Sequence, residues 1–556
     1  MPKIKLTKEF FDDVFKNKTQ KIKMFKPTDL KENDAKALQH LMKAGKIIND
    51  VSLIQDHHQN LELKKWLKDN NAKDALKFFN MINGVEGLNG IDKNPIEIFE
   101  GVKGYKGRNF YPHTLSVSHF HNVLTEMLNA GKTTEVQKIL SARTMVVWNN
   151  NKELEGIDYV DYFKAYFKKA AKELISASEL VSNKDFANYL KLQSEALLKA
   201  DENLDAAADT AWAELQETDL EFTLGRENYE DEMTLSVFEN KELVSLLEKA
   251  NIEVNPKDML GVRVGVINKE GTKLLLKFKS EMKSLAFKMP LADTYEQEFL
   301  KSEEVKQTMV DVDVTGLFGD YAQCRGGITT AQNLPNNDKL SIKQGAGRRN
   351  AYHRQVRQSG DNKTTQKKLN KLVAKDLHQY FNREADHLFV IGHENGHSYG
   401  PNSEHQVALG IYKHTIEEHK ADVISVAFMK HYAEKGIITK QELKEIYTTW
   451  VIFRLFIIAK PQLAQPHRMA DLMQFNYLLE NGAISFDKKN MLNIDFEKFE
   501  PVIDALLEET IKVQLSKSPE VAKEFIDRYS NWGTHNVRIA KELQKLGVKN
   551  YKLIVY

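Results

Sequence analysis

One cysteine, Cys324, stands in 556 residues. It cannot close an internal disulfide or furnish a multi-thiolate zinc or iron–sulfur site, so a reducing compartment is expected and any metal is left to histidine and carboxylate. Net charge is equally scarce. Against 79 Lys+Arg stand 78 Asp+Glu, a formal +1, which provides no global field for nucleic acid or an anionic membrane. Long apolar runs are missing too. The most apolar one, 450–459 (WVIFRLFIIA), is about half the length that crosses a bilayer and carries Arg454 in its middle, so a buried helix is predicted there. The opening MPKIKLTKEFFDDVF lacks the apolar stretch and small-residue cleavage site of an export signal, and a cytoplasmic location is expected. Only 12 prolines interrupt the chain, while hydrophobic residues at 42% and charged residues at 28% describe a folded protein with a sizeable core.

The length exceeds the roughly 250–300 residues at which one core stops growing, so two domains or lobes are expected. Most of the first 220 residues carry helical periodicity. Within 159–200, apolar residues recur at three- and four-residue steps, broken only at Ser182-Asn183, which predicts a helical hairpin. After Phe110-Tyr111-Pro112, Thr114 or Ser116 can cap the next helix. Strand signals come later: 261–267 (GVRVGVI) alternates small and β-branched residues ahead of a turn at 268–271, and 310–337 opens with alternating valine and aspartate. The stretch 348–375 is rich in Arg, Lys, Gln and Asn without interleaved aromatics, and reads as a solvated loop followed by a helix rather than a nucleic-acid patch. Gln344-Gly345-Ala346-Gly347 lacks the Lys-Ser/Thr ending of a phosphate loop.

Chemistry concentrates in 388–400, LFVIGHENGHSYG, where His393, Glu394 and His397 form HExxH. On a helix, positions i and i+4 share a face, so both imidazoles can reach one zinc ion with Glu394 beside it as base for the attacking water. About twenty residues on, Glu417-Glu418-His419-Lys420-Ala421-Asp422 opens another apolar-periodic helix. Glu418 there completes a His2Glu set, and Asp422, one turn further, can accept a hydrogen bond from a ligand imidazole. Glu417 could orient the other. An acidic first helical turn is the plain alternative for this pair. His405, His414 and His419 are not expected to be ligands. Asn395-Gly396 inside the helix costs roughly 1 kcal/mol at the glycine relative to alanine, which a close approach by substrate or by a neighbouring helix would explain, as would simple tolerance.

Several ordered blocks resemble the dipeptidyl peptidase III family of zinc metallopeptidases, in its shorter bacterial and plant-like branch. They are Phe110-Tyr111-Pro112, YLKLQSEALLKADENLDAAADTAWAEL (189–215), EFTLGRENYEDEM (221–233), TTAQNLPNNDKL (329–340), GHENGH (392–397), EEHKAD (417–422) and AQPHRMADLMQFNYLLENG (464–482). The resemblance implies one zinc per chain on His393, His397 and Glu418, with Glu394 as general base. It implies that Tyr229 hydrogen-bonds the reacting carbonyl, that Glu227 receives the substrate's amino terminus, that Asn333 and Asn336 bind the peptide backbone, and that His467 helps stabilise the tetrahedral intermediate.

Two departures stand out. Most members carry HExxxH where this chain has the five-residue form. A second amine-holding glutamate after the tyrosine has no clear counterpart in 234–260, where Glu239 or Asp258 could take its place.

The implied fold is α+β and predominantly helical, with two lobes around a wide cleft. A lower lobe with a small β-barrel takes 1–268 and 317–362. A helical, zinc-bearing upper lobe takes 269–316 and 363–535, and 536–556 forms a C-terminal segment. The expected function is release of dipeptides from the amino terminus of short peptides, with no nucleic-acid or membrane partner and no oligomeric state specified. The alternatives are a metal-retaining peptide-binding protein with little turnover, or a zinc hydrolase of another amide or ester.

Overall fold

Few breakers make long helices, and the computed structural model is built mainly from them. It describes all residues except 1, 89–94, 216, 228–230, 298–299, 301–307, 323–330, 335–348, 354–355, 357–361, 464 and 547–550, with backbone alone at 88, 227, 332–334, 349–350 and 362. The chain divides into two units: Met1–Val266 with Val314–Ile328 and Tyr551–Tyr556, and Ile267–Asp313 with Thr329–Asn550. The architecture is α+β and mainly helical. Compared with the boundaries expected from sequence, 329–362 falls in the second unit. The C-terminal segment is shared, its helix Thr534–Leu546 lying in the second unit and its last strand in the first.

In the first unit, helix α1 (Glu32–Asp56) packs its apolar stripe against α2 (Lys164–Ser178), which forms a hairpin with α3 (Lys184–Ala196). Asn183 starts α3 as expected for the predicted hairpin loop, its Oδ1 accepting from the Phe186 N–H at 2.8 Å. Ser116 caps the helix Val117–Asn129 in the same way, with Oγ accepting from the His119 N–H. Strands β1 (Leu220–Glu227) and β2 (Met259–Asn268) pair antiparallel, from Leu220 opposite Val266 to Glu227 opposite Met259. At the C-terminus, Tyr551–Val555 lies parallel to Thr19–Lys23 and buries Tyr551 against Phe78.

The turn expected at 268–271 is instead a helix start. Asn268 accepts from the Gly271 N–H at 3.1 Å and caps α4 (Lys269–Ala286), the side-chain oxygen supplying the partner that a first-turn amide lacks. Glycine is required at 271 because a Cβ there would collide with the Asp311 carboxylate.

Strand β3 (Thr308–Gly319) confirms the valine–aspartate strand and returns the chain to the first unit. In the second unit its first residues pair parallel with β5 (Arg349–Tyr352), which pairs antiparallel with β4 (Ala331–Leu334). The solvated loop expected from residue 348 therefore begins as a strand, and the helix expected after it runs Asn362–Leu372. Gln344-Gly345-Ala346-Gly347 and Cys324 lie outside the described residues.

The second unit's core collects α5 (Arg383–Gly396), α6 (Lys413–Glu434), α7 (Lys440–Ile457), α8 (Pro466–Glu480) and α9 (Phe496–Leu515). Helix α6 is buried around most of its circumference, between α5, α8 and α9. Helix α7 contains the apolar run 450–457 as predicted, and opens with a capping box between Thr439 and Glu442. No described helix is long and apolar enough to cross a membrane.

Candidate metal centre

Helices α5 and α6 meet at small residues. A Cβ on Gly396 would stand 2.7 Å from the Ala421 carbonyl oxygen, and one on Gly392 would overlap the Ser425 hydroxyl. The glycine inside HExxH thus serves the approach of a neighbouring helix, one of the explanations the sequence left open. Ser425 ties the pair further, its Oγ donating to the Phe389 carbonyl at 2.7 Å.

That approach faces His393 and His397 toward Glu418. The ligand atoms of these three residues all lie within 4.8 Å of one another, and His405, His414 and His419 do not join them. Glu418 Oε2 is 3.4 Å from His393 Nε2 and 3.7 Å from His397 Nε2, and the two rings stand nearly perpendicular with centroids 4.8 Å apart. The Nδ1 atoms are already engaged. His393 Nδ1–H donates to Asp422 Oδ1 at 2.7 Å, and His397 Nδ1–H donates to Glu417 Oε1 at 2.9 Å. Each carboxylate fixes the tautomer that leaves Nε2 with its lone pair for a metal.

Burial alone would raise Asp422, yet the Arg454 guanidinium and His393 hold it far below the usual carboxylate range. Burial likewise opposes the ionised form of Glu417, which Lys420 and His397 hold at about 2. For His393, burial pushes the imidazole down, but Asp422 outweighs it and raises the pKa to about 9, so a metal entering the site must displace that proton.

The donor set fits zinc. Two imidazoles and one carboxylate form a three-ligand set that leaves a position open. Glu418 Oε2 is a buried oxygen that accepts no hydrogen bond, an expense that a cation between it and the imidazoles would remove. Glu394 is buried next to His393, and burial raises its carboxyl above its ordinary value against the pull of His393 and His397. His467, at the start of α8, places Nδ1 3.2 Å from Glu418 Oε2 while its side chain stays 70% exposed. One end of it is therefore free for a ligand.

The remaining expected site residues are less fully described. Glu227 is the last residue of β1 and Asn333 lies in β4, each with its backbone alone described, while Tyr229 and Asn336 lie outside the described residues. Asp258 is buried and already engages Arg143, whose Nε is 3.4 Å away, whereas Glu239 is exposed. Arg454 and Lys420, which partner the two orienting carboxylates, were not singled out from sequence as part of the site. The signal for Arg454 was present: a guanidinium amid an apolar run needs a buried counter-charge.

Solved structures carry the same fold. No family model matches the sequence. Nudix hydrolase 3 of Arabidopsis thaliana is 25% identical over 560 residues, spanning 91% of this chain and 68% of the plant protein. The structure of dipeptidyl peptidase III from Caldithrix abyssi matches with a TM-score of 0.79 and 23% identity over 97% of both chains. That of dipeptidyl-peptidase III from Corallococcus sp. strain EGB matches with a TM-score of 0.77 and 18% identity, over 97% of this chain and 96% of the other. The chain has the dipeptidyl peptidase III fold over nearly its whole length, as the sequence blocks led us to expect.

Proposed function

We propose that this chain is a zinc-dependent peptidase that releases dipeptides from the amino terminus of short peptides in the cytoplasm. The observation that carries the reading is the Glu418 oxygen, buried without a hydrogen bond and facing two imidazoles whose Nδ1 atoms are each held by a carboxylate. His393, His397 and Glu418 would hold one zinc ion, which when bound supplies a Lewis acid for water and for a peptide carbonyl.

The protein's own groups do the rest. Glu394 takes the proton of the attacking water and returns it to the leaving amine, a role suited to a carboxyl that burial has raised. Tyr229 and His467 donate to the oxyanion as the carbonyl becomes tetrahedral, which lowers the barrier only where charge develops. Glu227 receives the free ammonium, and Asn333 and Asn336 bind the peptide backbone. Glu239 could supply the second ammonium contact, since Asp258 already has a guanidinium partner. The buried base beside the ligand imidazoles favours hydrolysis over peptide binding alone, because a binding protein has no use for it.

Metal analysis of the purified protein, followed by mass-spectrometric identification of products from free-amine and N-acetylated peptides, tests this function. One equivalent of zinc and dipeptides from the free-amine peptide alone are expected. Equal cleavage of both peptides would replace the exopeptidase reading with a different amide substrate, and an intact free-amine peptide would remove the peptidase reading.

A further inference from the structure

Each ligand imidazole stands at the head of a chain of three groups that ends in a buried cation. On one arm, Asp422 accepts from His393 at Oδ1. At Oδ2 it accepts from Arg454 Nη2 at 2.7 Å and from Gln474 Nε2 at 3.1 Å. On the other arm, Glu417 accepts from His397 at 2.9 Å and pairs with Lys420 Nζ at 2.9 Å, while Gln514 Nε2 donates to its second oxygen at 3.4 Å. Arg454 and Lys420 are themselves buried.

We propose that Arg454 and Lys420 are positioning residues of the metal centre, fixing the two carboxylates that aim the ligand imidazoles. The inference rests on the zinc reading above and adds to it the groups on which metal affinity depends.

Charge and anchoring both support it. A zinc ion with Glu418, Glu394, Glu417 and Asp422 ionised would carry a net charge of −2 in a buried site, which the two cations offset, although Arg454 also faces Asp471 at 3.6 Å. An uncompensated buried carboxylate is costly, so without its cation each acid would turn away, and its imidazole would lose the acceptor that orients it.

The arms are unequally built. Arg454 is locked at every nitrogen: Nε donates to Gln474 Oε1 at 2.5 Å, Nη1 donates to the Trp450 carbonyl at 3.2 Å, and the guanidinium lies 3.9 Å over the Trp450 ring. It therefore ties Asp422 on α6 to α7 and α8. Lys420 sits one turn from Glu417 on the same helix and is held at its other side by the Tyr399 carbonyl at 2.7 Å. The Arg454 arm is the stiffer one, and its loss should cost more.

The test is zinc affinity measured by competition with a chromogenic chelator, which does not depend on turnover. Arg454→Met should bind zinc roughly 10- to 100-fold more weakly than wild type, the usual effect of losing a partner of a ligand. Arg454→Lys should recover part of that loss, and Lys420→Met should show a smaller one. Because Arg454 acts through Asp422, the double variant Asp422→Asn/Arg454→Met should bind zinc as Asp422→Asn does, within about twofold, whereas independent contributions would multiply.

Wild-type affinity in Arg454→Met, or multiplied losses in the double variant, overturns the proposal. If Arg454→Met does not fold, Lys420→Met compared with Glu417→Gln decides it by the same criteria. A wild type that holds no zinc removes the metal reading together with this inference, whereas zinc-loaded wild type with indifferent variants removes this inference alone.

Discussion

A Cβ on Gly396 would stand 2.7 Å from the carbonyl oxygen of Ala421 and 2.9 Å from its Cα, so the backbones of the helices that carry His393, His397 and Glu418 meet without a side chain between them. Gly396→Ala must push the helices apart. Overpacking of this kind costs about 1–3 kcal/mol. The better helix propensity of alanine returns up to about 1 kcal/mol. A net loss of up to about 2 kcal/mol in chemical denaturation is expected, accompanied by weaker zinc binding. A variant of unchanged stability and unchanged affinity would mean that the helix contact does not set the site.

The ligand assignment predicts a clean stoichiometric result. His393→Ala and Glu418→Ala each leave two of three donors, and neither should retain an equivalent of zinc after dialysis, while wild type retains one. Full occupancy in either variant would remove that residue from the ligand set.

In the proposed function, recognition of a free amine is assigned to Glu227. A charge-assisted hydrogen bond to an ammonium is worth about 1.5–3 kcal/mol, so Glu227→Gln should lower kcat/KM for free-amine peptides roughly 10- to 150-fold. Residual activity on acetylated peptides should hardly change. An equal loss on both would assign Glu227 a structural role.

Acid sensitivity of the first unit is expected at His57. Its Nε2–H donates to the Lys103 carbonyl at 3.2 Å and its Nδ1 accepts from the Gln59 N–H at 3.2 Å, a pattern that only the neutral imidazole can make. Burial and the stacked His58, with His113 beyond it, hold its pKa at about 4 against the pull of Asp56; Tyr105 stacks with His57 as well, at 5.0 Å between centroids. The unfolded chain, with an ordinary histidine near pKa 6.5, binds more protons between about pH 6.5 and 4. This contribution is therefore complete above pH 6.5 and is lost as pH falls toward 4. Thermal midpoints measured at pH 7 and pH 5 should fall further for wild type than for His57→Gln. Equal falls would assign the acid sensitivity to other groups.

What was legible in the sequence followed from local rules. His393, His397, Glu418 and Asp422 could be placed because helical spacing alone puts i and i+4 on one face. The hairpin start at Asn183 and the buried run of α7 were readable for the same reason. Strand β5 was not, since Arg349-Asn350-Ala351-Tyr352 has little strand propensity and gains its structure from pairing with residues far away in sequence. The turn at 268–271 was misread because an asparagine followed by a glycine three residues on suits a turn and a capped helix equally. The partners of Asp422 and Glu417 depend on which helices pack together, which spacing along one chain does not reveal.

The most direct test of the central claim is turnover by Glu394→Gln, which removes the base and keeps all three ligands. Loaded with one equivalent of zinc, the variant should cleave a free-amine peptide with kcat lowered by at least about 10²-fold, the lower end of general-base contributions. Wild-type turnover at full zinc occupancy would contradict the mechanism.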